Sequence, residues 1–87
     1  MRRRVIVHGE IQGVFFRDTA RQKAQDQRVS GWVRNRGDGA VEAVFEGDDE
    51  RVEQLVAFMR SGPDRARVDD VEVLEEQPEG LDGFDVR

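Results

Sequence analysis

The chain has 87 residues, with 14 Lys and Arg against 19 Asp and Glu, a formal net charge of −5, 37% apolar residues and no Cys. That length suits one domain spanning residues 1–87, with a thin core that buries about 60–65% of the surface an unfolded chain exposes. Without Cys there is no disulfide, thiolate metal site or thiol nucleophile, and the acidic balance argues against a general nucleic-acid binder, which shows a basic face.

Met1-Arg2-Arg3-Arg4 has the charge of a secretory leader, but the apolar run after it is only Val5-Ile6-Val7, and His8-Gly9-Glu10 ends it. No stretch approaches the ~20 apolar residues of a membrane span. The expectation is a soluble, cytoplasmic, monomeric protein with no membrane and no nucleic-acid partner. Residues 3–9 alternate as a strand, with Val5 and Val7 on one face and Arg4 and Ile6 on the other. Residues 10–15 form a turn. Residues 16–28 are expected to be helical, with Phe16, Ala20 and Ala24 on one stripe.

Residues 30–36, SGWVRNR, read as a short strand, and Gly37-Asp38-Gly39 as a hairpin turn. In AVEAVFE, Val41, Ala43 and Phe45 face one way and Glu42, Val44 and Glu46 the other. Asp48 or Asp49 is placed to cap a second helix. Val52, Leu55, Val56 and Met59 give that helix its apolar face, and Ser61-Gly62-Pro63 stops it. Residues 67–76 form a strand around Val68, Val71 and Val73. Gln77 to Gly80 is a loop, and Phe84 and Val86 belong to a short terminal strand. The order β-α-β-β-α-β with a final short strand is the ferredoxin-like split β-α-β sandwich. It is an α+β fold with an antiparallel sheet and two helices on one face.

Reactive side chains are scarce. His8 is the only His, Asn35 the only Asn and Thr19 the only Thr, with Ser only at 30 and 61. No Ser lies in a nucleophile-type turn, and one His cannot build a zinc site. His8 reads as a strand-end residue without a chemical role. Asp69-Asp70 and Glu75-Glu76 read as a solvated acidic face rather than a cation site. No metal and no cofactor is expected.

What remains is one glycine-bearing loop, one arginine and one asparagine. A turn that opens a helix aims several N–H groups at one point, and the helix dipole adds partial positive charge there. Gly13 lets the backbone curl towards a ligand. Arg17 can fork two N–H groups onto phosphate oxygens. The alternative is a structural turn with an exposed Arg, since the G-x-x-x-x-G-K-[ST] spacing of a P-loop is missing. Asn35 stands beside the hairpin turn, where its amide can accept from water and donate to an oxyanion, or serve only as a turn residue.

At these residues the chain resembles the acylphosphatase family. Val7 to Arg17, VHGEIQGVFFR, is similar to the family signature V-x-G-x-V-Q-G-V-x-F-R, with Ile11 for Val. Gly31 to Glu42, GWVRNRGDGAVE, is similar to G-[FYW]-V-x-N-x-x-D-G-x-V-E. Phe45-Glu46-Gly47, Gly62-Pro63-x-x-Ala66-x-Val68 and the ending from Phe84 to Arg87 also resemble family positions. One departure is Gln27-Arg28-Val29, where the family often has Leu-Gly; it falls at the helix exit and bears on stability.

The resemblance implies hydrolysis of the carboxyl-phosphate bond of a small-molecule acyl phosphate. It implies that Arg17 binds the phosphate and that Asn35 orients the attacking water. The backbone amides of Gln12, Gly13, Val14, Phe15, Phe16 and Arg17 would form the phosphate cradle. One rival is an anion-binding module without turnover. A second is a small RNA-binding domain of the same element order, which would stack bases on sheet aromatics. The third strand offers only Phe45, and Phe15, Phe16 and Trp32 read as core or rim packing.

Overall fold

Two periodicities meet in one core. Val5 and Val7 of β1 (Arg2–Glu10), Val33 of β2 (Ser30–Asn35), and Val41, Ala43 and Phe45 of β3 (Val41–Glu46) share one face of a sheet. Phe16, Ala20 and Ala24 of α1 (Phe16–Asp26) and Val52, Leu55 and Met59 of α2 (Asp49–Ser61) cover that face. The computed structural model describes residues 1–87 and adds β4 (Arg67–Glu76) and β5 (Phe84–Val86). Helix α1 lies over β2 and β5, and α2 over β1 and β4. No helix is long and apolar enough to cross a membrane.

The strand order is β4-β1-β3-β2-β5. Neighbours among the first four run antiparallel, but β5 runs parallel to β2. The sheet is therefore mixed, where the element order alone suggested an antiparallel one. Chain length gives the reason. The seven-residue connection from Glu76 to Phe84 carries the chain past β1, β3 and β2. Four strand spacings are about 19 Å, close to the ~25 Å that seven residues reach when extended. The chain crosses one end of the sheet and returns along β2 in the opposite sense to β4. Phe84 then stacks on Phe45, with centroids 5.6 Å apart, and joins β5 to the core.

The sheet face away from the helices is also largely closed, although its residues are charged. Arg2 donates through Nη1 to Glu46 and through Nε to Glu76 at 2.8 Å. Arg4 bridges Glu76 and Glu42, and Arg34 donates twice to Glu42 Oε1, at 2.9 and 2.6 Å. The guanidinium groups of Arg4, Arg34 and Arg87 lie 5.5, 5.9 and 4.8 Å from the Trp32 ring centre. Alternation in β3 reads as half-exposed, yet all six of its residues are buried. The reason is that guanidinium stems and an indole cover the carboxylates. Asp69, Asp70 and Glu75 are exposed as expected, whereas Glu76 turns in to Arg2 and Arg4.

Burial raises the pKa of Glu42, but hydrogen bonds from Arg34 and Arg4 outweigh it and leave the group below its ordinary value. Glu46 is likewise pushed up by burial and brought down further by Arg2 and the amides of Glu79, Leu81 and Gly80. Hydrogen bonds from Arg4 and then Arg2 hold Glu76 low. Each group favours the fold as a carboxylate. Its stabilisation is complete above the ordinary glutamate pKa of about 4.3 and is lost as pH falls through the depressed native value. Thermal unfolding measured across pH should therefore give a nearly flat midpoint from neutrality to about pH 4.5, then a steep fall. That fall should be shallower in Glu46→Gln.

Helix α1 ends two residues earlier than its sequence pattern suggests. Val29 N–H donates to Ala24 O at 2.8 Å and Arg28 N–H to Gln25 O at 3.1 Å, the two bonds of a Schellman cap. Such a cap places its C′ residue in the left-handed region, and here Arg28 stands there with φ 56°. Glycine carries no Cβ penalty at that position. Arg28→Gly is expected to stabilise the fold by about 1 kcal/mol, net of the greater freedom glycine gives the unfolded chain. Calorimetry should register this as a rise of roughly 4–8 °C in Tm.

Candidate active site

Strand β1 leaves the sheet at Glu10, and the chain must reverse before α1 begins at Phe16. Gly13 makes this possible with φ 77°, and no atom lies within 4 Å of where a Cβ would sit. The demand there is conformational, not steric. Phe15, the N-cap residue, is also left-handed, with φ 60° and ψ 23°, and its side chain caps nothing. Its carbonyl accepts from Thr19 N–H at 3.0 Å and Thr19 Oγ1 at 2.9 Å.

The amides of this loop have a common property. The N–H groups of Gln12, Gly13, Val14, Phe15, Phe16 and Arg17 donate to no backbone or side-chain acceptor. Helix geometry leaves the first donors of α1 without intrahelical partners, and the loop adds more. Partial positive charge thus collects at the loop, reinforced by the dipole of α1.

The Gln12 side chain ties the loop to the hairpin. Its Nε2 donates to Arg36 O at 3.0 Å and Ala40 O at 3.1 Å, gripping both ends of the β2–β3 turn. That turn is closed by Arg36 N–H to Ala40 O at 2.8 Å and by Asp38, whose Oδ1 accepts from Ala40 N–H. Strand β2 meets β3 tightly because Gly31 has no side chain. A Cβ there would fall 1.8 Å from Val44 O. At the turn end of β2 stands Asn35, whose Oδ1 is buried without a hydrogen-bond partner.

Arg17 lies on the first turn of α1. Its only hydrogen bond, from Nη1 to Arg87 O, is 3.5 Å long, at the limit for such a bond. The neighbouring carboxylate of Asp18 faces Arg21 at 3.7 Å. Gly13, Arg17 and Asn35 line one cleft of about 280 Å³, together with Phe15, Asp18 and Val86, over a floor that includes Ile11 and Phe16. The two sequence motifs, far apart in the chain, meet there.

The model of the acylphosphatase family matches residues 3–86. The chain belongs to the acylphosphatase family. An acylphosphatase of Haloarcula marismortui is 59% identical over 86 residues, which cover 99% of this chain and 94% of that one. The crystal structure of acylphosphatase from Bacillus subtilis superposes with a TM-score of 0.93 at 33% identity, covering 99% of this chain and 97% of the other. An acylphosphatase structure from Coxiella burnetii gives 0.93 at 37% identity, with 99% and 90% covered. Family and fold together support acylphosphatase activity.

Three features of the cleft were not apparent from the sequence. The side chain of Gln12 acts as a brace, where the motif implicates only its backbone amide. Phe15 and Val86 form apolar walls. The backbone of Arg87 reaches Arg17 because β5 lies parallel to β2, with Arg87 N–H on Val33 O at 2.8 Å. Only a long polar side chain at position 12, beside a glycine that lets the loop turn, points to the first.

If Gln12 holds the loop against the hairpin, Gln12→Ala should leave the chain folded, losing about 1–2 kcal/mol for two hydrogen bonds. Turnover of an acyl phosphate should fall by roughly 10-fold or more, because small displacements of positioning groups cost that much. Phosphate release and thermal unfolding measured on the same preparation separate the two effects.

Proposed function

We propose that the cleft hydrolyses acyl phosphates without a metal, with Arg17 and the amides of Gln12 to Arg17 holding the phosphoryl group and Asn35 orienting the water. The observation that carries this reading is that Gly13, Phe15, Phe16 and Arg17, whose N–H groups donate to no acceptor in the protein, line one cleft with Asn35, beside a loosely held guanidinium. Fixed amides and a planar fork suit a phosphoryl group's oxygens. No cluster of three or more His, Cys, Asp or Glu is arranged to hold an ion.

An acyl phosphate is a mixed anhydride, and its leaving group is a carboxylate that departs without a proton. No general acid is needed. Phosphoryl transfer is then mainly a matter of position and charge compensation. The amides and Arg17 neutralise the phosphoryl oxygens, and the unpaired Oδ1 of Asn35 accepts a hydrogen bond from the attacking water. An unmade bond on a buried acceptor costs about 1–3 kcal/mol, so a water that supplies it is held firmly. The water oxygen bonds to phosphorus as the bond to the carboxylate oxygen breaks. One proton of the water stays on the attacking oxygen and the other passes to a phosphoryl oxygen, so an acyl phosphate dianion and water leave as carboxylate and dihydrogen phosphate, with one negative charge on each.

Arg17→Ala should lose both affinity and rate, and Arg17→Lys should remain poor because a point cation lacks the fork. Asn35→Ala should chiefly lower kcat, by roughly 10²–10³. Phosphate release from acetyl phosphate and benzoyl phosphate measures all three. A folded Asn35→Ala protein with full kcat removes Asn35 from the mechanism, and a wild type that binds phosphate without turnover makes the site an anion-binding module.

A further inference from the structure

We propose that Phe15 and Val86 form an apolar lip that selects acyl phosphates by their acyl group, favouring aromatic and larger apolar acyl chains over acetyl; this rests on the function proposed above. Only three large apolar side chains are strongly exposed in the molecule: Phe15 at 70%, Leu74 at 45% and Val86 at 38%. Two of the three stand on the cleft that Arg17 and Asn35 line. They come from different elements, Phe15 from the turn before α1 and Val86 from β5.

Phe15 is the wrong residue for its backbone. The N-cap of a helix favours Ser, Thr, Asp or Asn, whose side chain takes an orphan N–H. A left-handed conformation favours Gly, Asn or Asp. Phe15 satisfies neither preference, with φ 60° and no side-chain cap. It also contributes little to the core, which the adjacent Phe16 enters at 2% exposure. Neither local structure nor packing accounts for an aromatic ring at position 15. Strain kept at a site points to a role for the side chain that carries it.

The cleft supplies that role. With the phosphoryl group on the amides of the loop, the acyl carbon and its substituent must project outward past the loop that holds it. A methyl group reaches little of the lip. A phenyl group can lie against the Phe15 ring and Val86, gaining burial of apolar area and an aromatic contact. Discrimination by such a lip is modest, since it is open to water on one side.

The test is the ratio of kcat/KM for benzoyl phosphate to that for acetyl phosphate, so that any loss common to both substrates cancels. Phe15→Asn suits the left-handed backbone, so it should unfold at the same temperature as wild type or higher. Its ratio should fall by roughly 5–20-fold, the scale of one aromatic contact and its buried area. Val86→Ser should lower the ratio in the same direction by a smaller factor. A ratio in Phe15→Asn within about two-fold of wild type, with turnover of both substrates retained, overturns the inference and leaves the proposed function standing. A marked loss of thermal stability in Phe15→Asn also overturns it, because the ring is then structural. Absence of turnover of either substrate by wild type removes the proposed function and this inference with it.

Discussion

Six consecutive backbone N–H groups, from Gln12 to Arg17, donate to no acceptor within the protein. Everything proposed for the cleft depends on that. In most of a folded chain such donors are paired, because an unpaired one forfeits the bond it made with water. Here the turn that joins β1 to α1 leaves them without a partner in the fold, at the positive end of the helix dipole. An anion answers all of them at once, and Arg17 adds a full charge beside them. A chain of net charge −5 attracts anions poorly from a distance, so the attraction must be local.

The rest of the fold keeps the loop and its partners in register. Gln12 fastens the loop to the ends of the β2–β3 turn, and so to Asn35. Glu46 accepts from the N–H groups of Glu79, Gly80 and Leu81 at 3.1–3.2 Å, pinning the crossing segment that leads to β5. Strand β5 then delivers Val86 to the cleft and the Arg87 carbonyl to Arg17. Glu46 is itself held by Arg2, which Glu76 links to Arg4 and Glu42, so the crossing segment is tied to the buried ion pairs of the sheet. Desolvation offsets much of what a buried ion pair gains.

Much of this was legible in the sequence. Alternating Val residues gave β1 and β3, the stripe of Val52, Leu55 and Met59 gave α2, and Asp38-Gly39 gave the hairpin. Two long motifs marked the loop and the end of β2 as one site. What could not be read depended on partners distant in sequence. Arg2 and Glu46 each look like solvent-facing residues of a half-exposed strand; only the closed sheet reveals that they bury each other. The direction of β5 follows from where the crossing segment lands, which no local pattern encodes. Arg28 and Phe15 both occupy left-handed positions against their own preference, so propensity hid them. Phe15 in particular reads as a packing residue beside Phe16, and only the left-handed turn of the loop exposes it.

The most direct measurement is a titration of the protein with inorganic phosphate, followed by amide ¹H–¹⁵N chemical shifts. The account predicts that the amides from Gln12 to Arg17, the Arg17 guanidinium and the Asn35 side chain shift together with one dissociation constant, and that the remainder of the sheet stays still. Saturable shifts confined to another surface, or none in this loop at phosphate concentrations that inhibit turnover, would contradict it.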